Sequence, residues 1–383
     1  MGEGWDMIPA DAFVVILLRL PPSSRRRLRL VCRHWRDVVD ERTPERQARA
    51  KILAFVAEHG RSHAYVSDDC RSGKAPEPGG RSREVWSSGG ADGMSMVGTC
   101  NGLLCLHRKN DGGVVLVNPV TGAMLAVPPP PPPATTSDRR CLETADTYSF
   151  AYLPATGQHK IVHLPCRRGG AFDAVHVFTL GVDTSWREVP APPGSSCCLS
   201  FGLAGVGGAT YWVTKDAERL VSFDLKDERV AFAKPLLVPV PSPAWALLGY
   251  SCRLADVGGR LGIAICCINE PETSKTEVWV LEDDQAWARR CTVVVRGQKP
   301  NYEVASPHFA HGEYVLTSCP RWQSDGTGVM TMCAHLPRED EDGMLQGGVV
   351  RIDNPEQGPA VREDVGYSFR TFVYVETTEP LCF

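Results

Sequence analysis

The chain contains no Asn-x-Ser/Thr acceptor, no Cys-x-x-Cys pair and no apolar run long enough to cross a membrane. Its longest early run, Ala12 to Leu18, is far short of the roughly 20 residues a span requires. The opening Met1-Gly2-Glu3-Gly4-Trp5-Asp6 is acidic where a secretory leader is basic. The 15 cysteines are odd in number and scattered over 383 residues, unlike the dense, even framework of a small secreted domain. Reduced thiols and a soluble chain in the cytoplasm or nucleus are expected. Charge of one sign is also scarce: 41 Lys+Arg against 45 Asp+Glu, a net −4, leaves no whole-chain footprint for nucleic acid.

The signatures of catalysis are missing as well. No His-Glu-x-x-His, Walker loop or Gly-x-Ser-x-Gly stands in the chain. Cys197-Cys198 and Cys266-Cys267 are adjacent residues, which alternate faces on a strand, so they read as core thiols and not as ligands to one metal. His308 with His311, and His159 with His163, have no third ligand nearby in sequence. Asp283-Asp284 and Glu339-Asp340-Glu341-Asp342 read as solvated loops. The expectation is therefore no catalytic, cofactor-binding or metal site, and neither a nucleic-acid nor a membrane partner.

With 43% apolar and 22% charged residues, there is ample material for a core. At roughly 150 residues per domain, the length suggests two or three domains, or a small module attached to a large all-β unit. Charge separates one end from the rest. Residues 1–60 carry 11 basic and 8 acidic residues, and the remainder 30 and 37.

Residues 8–39 hold the sharpest pattern. Ile8-Pro9-Ala10-Asp11 opens a helix, with Asp11 suited to the first turn. Phe13, Ile16, Leu17 and Leu20 follow at i, i+3, i+4, i+7, and Pro21-Pro22-Ser23-Ser24 stops the helix and starts the next. Leu28, Val31, Cys32, Trp35 and Val38/Val39 repeat the spacing, while Arg25, Arg26, Arg27, Arg29, Arg33 and Arg36 occupy other faces. A unit of roughly 40 residues is marginal alone and needs a neighbour or partner. One reading is a helical cap on the rest of the chain. A helix-turn-helix DNA reader fits poorly, since the connection is proline-rich and the second helix lacks residues suited to base edges.

These residues resemble the F-box. The Leu-Pro-x-Asp opening is matched by Ile8-Pro9-Ala10-Asp11, the Ile-Leu-x-Arg-Leu-Pro middle by Ile16-Leu17-Leu18-Arg19-Leu20-Pro21, and the Val-Cys-x-x-Trp close by Val31-Cys32-Arg33-His34-Trp35. Departures are Ile8 for Leu, Val15 where an acidic residue is common, and Arg26-Arg27 where apolar residues often sit. The resemblance implies three helices over residues 1–45 that dock on a Skp-family adaptor, and through it on a cullin-based SCF ubiquitin ligase. The docking or supporting positions it implies are Ile8, Pro9, Phe13, Ile16, Leu17, Leu20, Pro21, Leu28, Val31, Cys32 and Trp35.

Residues 67–95 are rich in turn residues, so a partly flexible connecting segment is expected over 46–96. Beyond it a Gly-containing turn followed by a β-rich run recurs at Gly102, Gly157, Gly208, Gly259 and Gly312, with spacings of 55, 51, 51 and 53. Within each period a second β-rich run ends at a polar turn: 114–119, 175–178, 220–224, 278–283 and 349–353. A period near 50 made of antiparallel strands belongs to propeller-type repeats. Ser185-Trp186-Arg187 and Ala286-Trp287-Ala288-Arg289 suggest an outer strand burying one aromatic per blade. Leftover strands at Val85-Trp86 and 371–375 bring the number to about six blades, the last closed by both ends of the domain, which removes the exposed edge. Pro128 to Pro133 reads as a stiff connection between strands, with docking on an aromatic groove as the alternative.

This stretch is similar to the plant F-box-associated domains. The likeness rests on Gly98-Thr99-Cys100-Asn101-Gly102-Leu103-Leu104-Cys105 with Val117-Asn118-Pro119-Val120-Thr121-Gly122, then Tyr211-Trp212, Ser222-Phe223-Asp224 and Val278-Trp279-Val280-Leu281-Glu282-Asp283. The expected protein is mainly β, with a small all-α N-terminal module and a β-propeller-like domain over 97–383. The resemblance implies a non-catalytic adaptor whose propeller loops bind a substrate protein that the sequence does not name. A propeller enzyme or carbohydrate-binding lectin with a helical cap is the alternative, and an F-box protein acting outside the ligase a third.

Overall fold

The computed structural model describes residues 10–18, 20, 28, 31–42, 51–58, 60–67, 82–88, 93–131, 145–153, 156–166, 170–238, 250–270, 273–282, 286–296, 308–311, 314–322, 327–336, 348–351, 360–362 and 368–377. Among the described residues, the helices Ala10–Leu18 and Arg33–Arg42, with Leu28 also helical between them, precede a long series of antiparallel strands.

Among the described residues the strands form six sheets. Blade 2 runs β4 (Met94–Cys100), β5 (Leu103–Arg108), β6 (Val114–Val117), β7 (Met124–Val127). Blade 3 runs β8 (Tyr148–Leu153), β9 (Gln158–His163), β10 (Ala174–Thr179), β11 (Arg187–Pro190). Blade 4 runs β12 (Ala204–Val206), β13 (Ala209–Val213), β14 (Arg219–Asp224), β15 (Arg229–Pro235). Blade 5 runs β16 (Tyr250–Val257), β17 (Arg260–Glu270), β18 (Thr273–Leu281), β19 (Trp287–Arg296). Blade 6 runs β20 (His308–His311), β21 (Tyr314–Trp322), β22 (Thr327–Leu336), β23 (Gly348–Arg351), with β24 (Ala360–Arg362) also paired to β22. Blade 1 is composite: β25 (Ser368–Tyr374) pairs with β1 (Lys51–Glu58), followed by β2 (Arg61–Ser67) and β3 (Ser82–Ser87).

The leading strand of each sheet, β4, β8, β12, β16, β20 or β25, touches the leading strands of both neighbours, so the six close into a ring. This is a β-propeller whose last strand completes its first blade. Lys51 pairs with Tyr374 and Ala57 with Ser368 across that closure, and Thr99 Oγ1 donates to the Val373 carbonyl to tie blade 1 to blade 2.

Burial follows the same logic. β6 is buried at all four residues, and β5 at all but Arg108, because middle strands are covered on both faces by adjacent blades. Outer β11 (Arg187-Glu188-Val189-Pro190) is only half covered, and its sequence is correspondingly polar. The core therefore lies between blades: Phe201, Val213, Leu220, Leu254 and Ile263 join blades 4 and 5, and Val162, Val177, Trp212 and Phe223 join blades 3 and 4. Each such side chain contributes about 1.5–3 kcal/mol. Trp186 is the buried outer aromatic of blade 3, and its Nε1 donates to the Pro128 carbonyl at 2.6 Å.

All five repeat glycines precede the second strand of a blade. Four are described and turn at φ +75 to +84. At Gly102 a Cβ would stand 2.3 Å from Thr377 Cγ2 and 2.7 Å from the Val375 carbonyl, so a side chain is excluded by contact as well as by backbone conformation. A sixth member, Gly60 at φ +78, heads β2.

That sixth turn corrects the expected connecting segment. Residues 51–58, 61–67 and 82–87 are three strands of the ring. Lys51-Ile52-Leu53-Ala54-Phe55-Val56-Ala57-Glu58 is apolar without alternation, buried from Ile52 to Ala57, and such a run carries no period that separates strand from helix. The propeller therefore begins at Lys51 and not at 97. In blade 6, residues 349–351 of the expected run fall on the outer strand β23, and the third strand is β22.

Candidate functional site

The helical module is built on the first helix. Phe13 and Leu17, one turn apart, are buried with Val38 and Val39 of the helix Arg33–Arg42, and Val14, Leu20, Leu28 and Trp35 pack around them. Trp35 meets Phe13 edge-to-face at 4.6 Å between ring centres, and His34 stacks at 6.3 Å. The Leu20 amide donates to the Leu17 carbonyl at 3.0 Å and closes the first helix, and the Val31 amide donates to the Leu28 carbonyl at 3.1 Å. Arg42 reaches Asp11, but both side chains are well exposed, so the pair adds little stability.

The same helix also has an uncovered apolar face. Val15 and Ile16 are 52% and 51% exposed, and Ala12, at i−3 and i−4 from them, is exposed too. Val31 is 57% exposed and Cys32 is exposed just before the helix Arg33–Arg42. A helix apolar all round, Ala12 to Leu18, needs cover on both sides, and the module supplies it on one.

The expected docking set thus divides. Phe13 and Leu17 are interior and support the module; Leu20, Leu28 and Trp35 are half-buried; Ile16, Val31 and Cys32 face outward. Ile8, Pro9 and Pro21 lie outside the described residues. Ala12 and Val15 are outward residues that the single stripe Phe13/Ile16/Leu17/Leu20 passes over. The signal for them is a second i, i+3, i+4 set, Ala12/Val15/Ile16, on the face adjoining that stripe.

Among the described residues, no group of three His, Cys, Asp or Glu side chains is placed to hold a metal ion, and no helix is long and apolar enough to cross a membrane. His163 meets not His159 but His176, paired with it across β9 and β10, with Nδ1 atoms 3.2 Å apart. Cys197 and Cys266 are buried. Side chains of His308, His311, Cys267 and both acidic runs lie outside the described residues.

Comparison with known proteins agrees with this organisation. Residues 5–46 match the F-box domain, and residues 79–324 match the F-box associated beta propeller domain. The chain is similar to the F-box protein At3g07870 of Arabidopsis thaliana, 24% identical over 343 residues, covering 79% of this chain and 77% of that one. It is also similar to the F-box/kelch-repeat protein At3g23880 of Arabidopsis thaliana, 22% identical over 307 residues, covering 72% of this chain and 76% of that one. Of solved structures, a chain of the Nidogen/Laminin complex is similar at 9% identity and a TM-score of 0.40, covering 83% of this chain and 98% of that one.

Proposed function

The chain belongs to the F-box-associated β-propeller family, and from that premise we propose that it is the substrate-recognition subunit of a cullin-based SCF ubiquitin ligase. The helical module docks on a Skp-family adaptor, and the propeller holds a substrate protein in the cytoplasm or nucleus. No bond is made or broken by this chain. It raises the effective concentration of substrate lysines beside a ubiquitin-loaded enzyme.

The observation that carries the reading is the solvent-facing apolar side of the first helix, Ala12/Val15/Ile16, with Val31 and Cys32 beyond it. An apolar interface anchor is worth about 2 kcal/mol, roughly thirtyfold in affinity. The test is capture of a purified Skp-family adaptor by the full chain and by Ile16→Asp and Val31→Asp variants, which replace exposed residues and leave the module core intact. A loss of about thirtyfold or more in either variant is expected. Leu17→Asp serves as the control that unfolds the module. Equal capture by wild type, both surface variants and a chain lacking residues 1–45, or no capture by wild type, refutes the proposal.

A further inference from the structure

Three charged residues meet on the propeller axis. Arg370 is the third residue of β25, Arg253 the fourth of β16, and Asp146 lies in a 3-10 turn, Ala145–Thr147, directly before β8. These are the leading strands of blades 1, 5 and 3, alternate members of a ring of six, so their side chains can converge only across the central channel. They do converge: Asp146 Oδ1 accepts from Arg253 Nη1 at 3.1 Å and from Arg370 Nη1 at 3.4 Å. Arg370 Nη1 also donates to the Met96 carbonyl of β4 at 3.0 Å.

Their height in the channel follows from topology. Four antiparallel strands per blade return the chain to the same face, so all six leading strands start there. Arg370, Met96 and Asp146 sit within three residues of those starts, so the cluster lies towards that mouth. The described connection 191–203 between blades 3 and 4 lies on this face, whereas the opposite face carries the tight glycine hairpins.

The cluster holds two cations and one anion. Burial, together with the neighbouring Arg253, pushes Arg370 down to about 10, which leaves it charged at neutral pH. Burial works against the ionised form of Asp146, yet Arg370 and Arg253 hold its carboxyl below the usual range. Among the described residues the cluster carries one positive charge in excess. Side-chain exposures of 24% for Arg370, 28% for Arg253 and 31% for Asp146 mean that solvent reaches all three. Gly202 packs beside the pair, where a Cβ would stand 3.5 Å from Arg253 Nη1 and 3.6 Å from Asp146 Oδ1, so a side chain there would lie directly against both. Among the described residues each guanidinium commits only Nη1 to a hydrogen bond, which leaves most of its five donors open.

We propose that this axial mouth binds one carboxylate of a polypeptide, an acidic side chain or a free C-terminus presented by the substrate protein. The proposal rests on the reading of the propeller as the substrate-holding part. A carboxylate matches the open fork of a guanidinium and neutralises the one excess charge. A phosphate dianion overshoots it and lies against Asp146.

The experiment probes an array of short peptides with the full chain. Each peptide is printed with an internal Glu, with Gln in its place, with phosphoserine in its place, and with a free or an amidated C-terminus. Wild type is expected to select a subset only in carboxylate form; Glu dependence assigns the side chain and dependence on the free end assigns the terminus. On selected peptides Arg253→Gln and Arg370→Gln bind about tenfold more weakly, the value of one charge-assisted contact. Asp146→Asn, which removes the competing anion, binds more tightly. A purely structural clasp gives a lowered melting temperature in Asp146→Asn with no gain in binding, which overturns the proposal. So does indifference to Glu→Gln and to the terminus, preference for phosphoserine, or no selected peptide. Adaptor capture by the same preparations, which depends on residues 10–42, separates failure of this inference from failure of the ligase reading.

Discussion

Mild acid should weaken the propeller through a buried histidine, and His107 allows the size to be worked out. It lies at the end of β5 with 1% of its surface exposed, and neither ring nitrogen has a hydrogen-bond partner among the described residues. Its ring rests 5.2 Å from that of Tyr148, which stacks on His163. Burial pushes His107 down to about 4, with Asp111 opposing and Lys109 assisting. A histidine in the unfolded chain takes its proton near 6.5, so between 6.5 and 4 the unfolded state binds more protons and stability falls with pH. The slope is about 1.4 kcal/mol per pH unit, and the accumulated loss from pH 7 to pH 5 is about 2 kcal/mol from this residue. His163 and His176 are lowered chiefly by burial and act in the same direction. The ion-paired Glu228, held at about 2 chiefly by its hydrogen bonds to Arg187, is silent in this window because its effect begins below 4.5. The assay is urea unfolding of wild type and His107→Leu at pH 7 and pH 5. The variant, which carries no titrating group, should lose about 2 kcal/mol less between the two. An identical pH difference in both proteins would show that His107 protonates freely in the folded state and refute the reasoning.

Two further outcomes follow from the packing between blades. Glu228 accepts from Lys160 Nζ at 2.5 Å and from Arg187 Nη2 at 2.8 Å, joining blades 3 and 4, and Lys160 is only 8% exposed. Glu228→Gln leaves that lysine without its counter-charge and should cost about 3 kcal/mol, read as a fall in melting temperature of about 5 °C or more; a change under about 1 °C counts against a structural role. Deleting residues 368–383 removes β25 and bares the paired edge of β1, so the truncated chain should associate or precipitate. A soluble monomer with unchanged circular dichroism would show that closure is dispensable.

The parts of this architecture that were legible in the sequence are those that repeat locally. The glycines at 102, 157, 208 and 259 can be found because a positive φ admits few other residues, and their near-constant spacing reflects a fixed number of strands per blade. Gly60 escapes because it precedes Gly102 by a shorter interval, and because β1 carries no alternation. The helical module is legible as a pattern but not as a division into inside and outside. Ile16 shares the spacing of Phe13 and Leu17, yet it lies at the margin of their stripe, and the structure turns it outward. Asp146, Arg253 and Arg370 are illegible for a different reason. Each is one charged residue in a separate period, and only ring closure places them on one axis. The His163–His176 contact likewise depends on the register of β9 with β10.

The composite blade also sets an order in time. Lys51 and its ion-pair partner Glu376 are 325 residues apart, so β1 leaves the ribosome long before the strand that completes its sheet. At about 5–20 residues per second the interval is tens of seconds. Throughout it the helical module is already fully synthesised, while β1 keeps an unpaired edge and the axial channel lacks Arg370. The end that would meet the ligase is made first, and the end that would hold cargo is finished only by the last strand. On the function proposed above, a nascent or prematurely terminated chain would occupy an adaptor with nothing to deliver.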